Sequence, residues 1–217
     1  MFYWVIKWIA WPLRALYFRI ETEGLDNLPR SGPVILVANH SSYLDAGILG
    51  SVMPRKVHFI VLSRMFRLWR IRWFYVGMET IPVHPGKPDH AAIRRALGIL
   101  KGGGVVGIFP EGTRSVDGRL KPPQPGVAMI AIKAGAPVVP VAIHGAYQAY
   151  PPGSRWPRPS KIRVRFGEPF QPPARGGGRL SRDALEQFSQ RIMQEIAALL
   201  PDDGSGARDR RAAEEGR

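Results

Sequence analysis

Between residues 33 and 167, continuous apolar runs alternate with stretches whose apolar residues recur every three or four positions. PVILVAN (33–39), VVGIF (105–109) and PVVPVAIHG (137–145) are short, almost wholly apolar and bounded by turn residues, which predicts buried strands. A β-rich run covers 57–62, and 161–166 alternates charged with apolar residues, predicting an edge or half-exposed strand. Helices are expected over HSSYLDAGILGSVM (40–53), with Ser41 or Ser42 as N-cap, and over 89–101 and 126–133. A last amphipathic helix carries Leu185, Phe188, Ile192, Ile196 and Leu199 on one stripe before Pro201. Strands alternating with helices predict an α/β domain around a largely parallel sheet flanked by helices, over residues 24–200. The charged, Gly-rich residues 201–217 are expected to form a disordered tail.

Two segments break this pattern. Residues 1–23 open with MFYWVIKWIAWPLRALYFRI, where Lys7, Arg14 and Arg19 interrupt the apolar run and Pro12 kinks or ends a helix. On a helix, Trp4 and Trp11 flank Lys7 and Arg14, with Val5, Ile9, Leu13 and Leu16 on the opposite arc. This predicts amphipathic helices lying in a membrane interface rather than a signal peptide or a spanning helix. The plainer alternative is a helix docked on the protein's own core. From Arg64 to Val76, arginines interleave with Phe66, Trp69, Trp73, Phe74 and Tyr75. That stretch reads either as a half-exposed helix with its arginines extended to water, or as a second membrane- or phosphate-facing patch.

The chain has 217 residues, enough for one domain with a full core. Thirty-one Lys and Arg against 17 Asp and Glu give a net charge of +14, which suits nucleic acid, anionic lipid or phosphorylated substrates. There is no Cys, which excludes disulfides, thiolate catalysis and Cys-ligated metal, and accords with a reducing compartment.

Gly102, Gly104 and Gly107 satisfy a dinucleotide-binding spacing, but they end a helix and open a strand, the wrong order for capturing phosphate at a helix N-terminus. HSSYLD is more informative. His40 follows a buried strand and Asp45 lies about one helical turn on, so both can face the crevice at a strand end. A carboxylate against one ring nitrogen fixes the tautomer and leaves the other nitrogen to take a proton. No Ser lies in a nucleophile elbow, so the simplest chemistry is direct attack by a substrate hydroxyl, with His40 as base. FPEGTRS (109–115) also follows a strand. Gly112 permits a tight turn, Arg114 can grip a phosphate, and Glu111 can position that Arg or a substrate hydroxyl.

NHSSYLD followed by FPEGTRS resembles the glycerolipid acyltransferases, specifically the 1-acyl-glycerol-3-phosphate (lysophosphatidate) acyltransferases. VPVAIHG (139–145) resembles that family's later apolar block, and the likeness runs from about Gly24 to Phe170. It implies an α/β fold with an N-terminal helical membrane element, catalysis by His40 and Asp45, and acceptor binding by Glu111, Gly112, Thr113 and Arg114. It implies acyl-CoA or acyl-carrier-protein as co-substrate, a lysophospholipid acceptor, and neither metal nor other cofactor. The expected location is a membrane surface, on its cytoplasmic face. One block departs from the family: a basic residue, often Arg, is usual where GMETIPVH carries Val83 and His84, with Lys87 just beyond. A basic nucleic-acid binder is the rival of another class. It lacks any helix-turn-helix, zinc or RNA-recognition signature, and no nucleic-acid partner is expected. A catalytically dead lipid-binding relative would not need both His40 and Asp45.

Overall fold

The computed structural model describes residues 3–4, 17–67, 69–84, 89–174 and 180–201, without the side chains of residues 70 and 71. Seven strands form one sheet: β1 (Ile20–Glu23), β2 (Val34–Ala38), β3 (Val57–Leu62), β4 (Ile81–Val83), β5 (Val105–Ile108), β6 (Val138–His144) and β7 (Ile162–Phe166). Their order is β1-β7-β6-β2-β5-β3-β4. The five strands from β6 to β4 run parallel, while β7 runs antiparallel to β6 and β1 parallel to β7. The helices are α1 (Asp45–Val52), α2 (Trp69–Gly77), α3 (His90–Lys101), α4 (Gly126–Ala134), α5 (Ala146–Ala149) and α6 (Arg182–Leu199).

Strand β2 shows why its run is unbroken. Val34, Leu36 and Ala38 join a core layer with Ile48, Leu49 and Val52 of α1. Ile35 and Val37 join the opposite layer with residues of α3, α4 and α6. A strand covered on both faces has no water-facing position, so alternation disappears. β7 keeps its alternation. Ile162, Val164 and Phe166 are buried, while Arg163 and Arg165 pair across to Glu21 and Glu23 of β1.

One expectation is narrowed and one boundary changes. The strand at 161–166 is half-exposed but not an edge, because β1 pairs along its outer side. Residues 20–23 therefore belong to the sheet, not to an N-terminal helical element spanning 1–23. The remainder of that element lies mostly outside the described residues. Its start does not: Tyr3 is buried and donates its hydroxyl to the Gly50 carbonyl, while Trp4 is exposed. The expected disordered tail also lies outside the described residues, apart from Pro201. Among the described residues no helix is long and apolar enough to cross a membrane. Gly102, Gly103 and Gly104 of KGGGVVG do lie between a helix end and a strand, α3 and β5, and Gly107 lies within β5.

Candidate active site

The C-terminal ends of the five parallel strands share one edge of the sheet, so the loops leaving β2 and β5 are neighbours there. Asn39 closes β2. Its side-chain amide donates to the Ile143 carbonyl at 3.0 Å, and its oxygen accepts from the Ile143 N–H at 2.7 Å. This buried bracket holds the end of β2 against β6, immediately before His40.

His40 and Asp45 are together. The Nδ1 of His40 lies 2.8 Å from Asp45 Oδ2. That same oxygen accepts the backbone N–H groups of Ser41 and Ser42, each at 2.8 Å. Asp45 is wholly buried, and its Oδ1 finds no hydrogen-bond partner among the described residues. The expected N-cap is thus replaced. The cap position is Leu44, with no side-chain cap bond, and Ser42 Oγ donates instead to the Tyr150 carbonyl. Residues 41–44 turn around the Asp45 carboxylate before α1 begins. With the Asp45 carboxylate accepting at Nδ1, the Nε2 of His40 is left as the proton acceptor.

The second motif clamps the first. Glu111, only 3% exposed, accepts the His40 backbone N–H on Oε1 (2.8 Å) and the Lys121 N–H on Oε2 (3.1 Å). The Ser115 N–H donates back to the His40 carbonyl at 2.7 Å. Burial pushes the Glu111 carboxyl up to about 7 against those two N–H donors and the Lys121 charge, and the Asp45 charge adds to the rise. Glu111 therefore holds His40 and Lys121 by their backbones. The imidazole of His40 stacks on Phe109, 4.1 Å between centroids and 18° between planes, and Phe109 in turn stacks over Phe59.

The rest of FPEGTRS faces outward. Gly112 turns the loop at φ 72°, a left-handed conformation that glycine adopts without strain. Thr113 Oγ1 accepts from Lys121 Nζ at 2.6 Å. The Arg114 guanidinium lies 4.1 Å from the centre of the Tyr43 ring and forms no ion pair among the described residues, so its N–H fork is available to an anion. In the departing block, Val83 ends β4. His84 Nδ1 lies 2.8 Å from Asp89 Oδ2, while Asp89 Oδ1 caps α3 through the N–H groups of Ala91 and Ala92. Lys87 lies outside the described residues. No group of three or more His, Cys, Asp or Glu among the described residues could hold a metal ion.

Phe109 and Tyr43 sit inside motifs the sequence singled out, but no role for them could be read there. Asn39 opens the NHSSYLD motif but its bracket to Ile143 left no trace there, and Lys121 and Tyr150 carried no local signal, because their partners are distant in the chain.

The sequence model of the Acyltransferase family matches residues 19–144, more than half of the chain and including both motifs. The chain belongs to the Acyltransferase family. Among curated relatives, a chloroplastic 1-acyl-sn-glycerol-3-phosphate acyltransferase of Brassica napus is 37% identical over 64% of this chain and 41% of its own length. The chain thus spans about two fifths of that plant relative. The 1-acyl-sn-glycerol-3-phosphate acyltransferase of Bacillus subtilis is 29% identical over 83% of this chain and 87% of its own. The crystal structure of the 1-acyl-sn-glycerophosphate (LPA) acyltransferase PlsC from Thermotoga maritima superposes with a TM-score of 0.73 at 27% identity, covering 91% of this chain and 79% of that one. This family member thus has the α/β architecture, a largely parallel sheet flanked by helices, that its alternating apolar pattern implies.

Proposed function

We propose that the protein transfers a fatty acyl group from a thioester donor to the free hydroxyl of 1-acyl-glycerol-3-phosphate, giving phosphatidic acid. The single observation that carries this is the His40–Asp45 pair, fixed at 2.8 Å and clamped from behind by Glu111 and Ser115 at the strand edge. His40 Nε2 takes the proton of the acceptor hydroxyl as that oxygen attacks the thioester carbonyl. Asp45 stabilises the imidazolium that forms. Collapse of the tetrahedral intermediate breaks the carbon–sulfur bond, and the departing thiolate takes the proton back from His40. The new ester and the free thiol leave the enzyme as it began, and no covalent enzyme intermediate is needed.

Arg114 supports a phosphate-bearing acceptor, since its planar fork matches a phosphate and has no acidic partner among the described residues. Thr113, steered by Lys121, and the Gly112 turn shape the rim of that site. Acyl-CoA and acyl-carrier-protein are both compatible donors, and the reading calls for no metal or further cofactor. The working location is a membrane surface, on its cytoplasmic face, supported by the Trp-rich N-terminal sequence and the charge of +14.

A second reading is favoured by one observation. His84 stands where a family Arg is usual, and Asp89 already holds its ring. Such a block could admit a lyso-lipid acceptor without a phosphate monoester. Purified protein given one donor, with lysophosphatidate, lysophosphatidylcholine and a lyso-aminolipid in competition, decides between the two. Preferred use of lysophosphatidate is expected. Equal or better use of either competitor would overturn the choice of acceptor, and no transfer to any acceptor would overturn the reaction.

A further inference from the structure

Helix α2 follows a short turn (Ser63–Arg67) at the end of β3, so it lies at the same sheet edge as His40 and Arg114. Its two sides differ. Trp69, Arg72, Trp73 and Val76, spaced three and four apart, share one face and are all exposed; Trp69, Trp73 and Val76 are 82%, 58% and 55% exposed. On the other side, Tyr75 packs on Phe66 at 5.6 Å and is tied through its carbonyl to Thr80. Burial pushes the Tyr75 hydroxyl up, and the Arg114 charge pulls it back.

Two exposed tryptophans and a valine on one helical face are unusual for a surface in water, where large apolar side chains in a contiguous patch mark a contact. Arg72 on that face, and Arg64 and Arg67 in the turn that precedes the helix, are all exposed. Between Asp45 and Glu79 the sequence contains no acidic residue. Aromatic rings at headgroup depth flanked by cations match the interface of an anionic bilayer, since rings suit the polar–apolar boundary and arginines the surface potential.

We infer that the outer face of α2 is a docking surface for anionic phospholipid, separate from the N-terminal segment, which seats the active-site edge on the bilayer. Resting on the acyltransferase reading, its role is delivery. With the outer face in the interface and α2 at the same sheet edge as Arg114, an acceptor whose acyl chain stays in the lipid can present its headgroup to the site. An acidic carrier protein is the competing occupant. It would use the arginines but would gain little from two tryptophans set for lipid.

The test uses the full chain as wild type, as a Trp69→Ser/Trp73→Ser double variant and as Arg72→Gln. Sedimentation is measured with vesicles of phosphatidylcholine with and without phosphatidylglycerol. The double variant should lose most of its partition into the anionic vesicles. Arg72→Gln should lose about fivefold there and almost nothing on neutral vesicles. Turnover of a vesicle-embedded acceptor should fall in parallel, while turnover of a dispersed short-chain acceptor stays at the wild-type rate. Unchanged partition and unchanged vesicle turnover in the double variant would overturn the inference. So would loss of turnover on the dispersed acceptor, which would make the tryptophans part of the fold or the site. Loss confined to a carrier-protein donor, with partition intact, would assign the face to that protein and likewise overturn it. If the wild type acylates neither form of acceptor, the acyltransferase reading fails. The partition result still decides the docking face.

Discussion

Three N–H groups converge on Asp45 Oδ2, the ring of His40 and the backbones of Ser41 and Ser42, so the imidazole is held by a carboxylate that is itself immobile. Replacing His40 with Ala should lower kcat by about 10²–10⁴ without unfolding the protein. Asp45→Asn should be damaging by a similar factor, about 10²–10⁴, because the amide no longer enforces the productive tautomer. Steady-state rates on a dispersed acceptor check both; a variant keeping a third of wild-type turnover would remove that residue from the mechanism. Arg114→Ala should raise KM for the phosphorylated acceptor by about tenfold or more, as one charge-assisted contact contributes roughly 1.5–3 kcal/mol, and should leave KM for the donor almost unchanged. Glu111 gives a pH signature. Its folded-state carboxyl is raised to about 7, so the native protein retains a proton that the unfolded chain releases at ordinary carboxylate pH. That contribution is complete below about pH 4.5 and is lost as pH rises through about 7, with a slope of at most ~1.4 kcal/mol per pH unit. Urea unfolding between pH 5 and 7.5 should show stability falling with pH, and Glu111→Gln should flatten this part of the fall. Parallel pH profiles for the two proteins would show that Glu111 titrates normally.

At the scale of elements, what could be read in the sequence follows from how locally each feature is encoded. β2, β5 and β6 are buried on both sides and announce themselves as apolar runs. β1 is only IETE and β4 only IPV, too short to show a period, and both exist because a neighbouring strand offers them a ladder. The His40–Asp45 pair was legible because its partners are five residues apart. The clamp from Glu111 to the His40 backbone crosses 71 residues and left no local trace. The start of α1 was misplaced because the Asp45 carboxylate takes the N–H groups of residues 41 and 42, extending the turn. The junction of β6 with α5 is another long-range constraint. Gly145 has φ 86°, and a Cβ there would collide with the Lys161 carbonyl oxygen, immediately before β7. Gly145→Ala should therefore destabilise the fold by more than the ~1–2 kcal/mol of a left-handed alanine alone, because β7 must also shift. A urea midpoint equal to that of the wild type would mean that this junction yields without cost.

Charge and apolar exposure act on the whole molecule at once, and ionic strength separates them. With a net charge of +14, the protein should be drawn to anionic vesicles over a distance set by screening. That distance is about 10 Å at 0.1 M salt and about 3 Å at 1 M, so the electrostatic part of binding should collapse across that range. Insertion of Trp69 and Trp73 is not screened in this way, because it follows apolar area removed from water. Partition of the wild type should thus fall steeply with salt and then level off at a nonzero floor. Substituting Arg64, Arg67 and Arg72 together by Gln should reduce the steepness and leave the floor. Trp69→Ser/Trp73→Ser should lower the floor and leave the steepness. The N-terminal segment is unchanged in every one of these proteins, so any contribution from it cancels in the comparison. Vesicle sedimentation from 0.1 to 1 M salt checks all three. If the arginine and tryptophan variants changed the same part of the curve, charge and aromatic insertion would not be separable roles of α2, and the basic surface would be acting only as a whole.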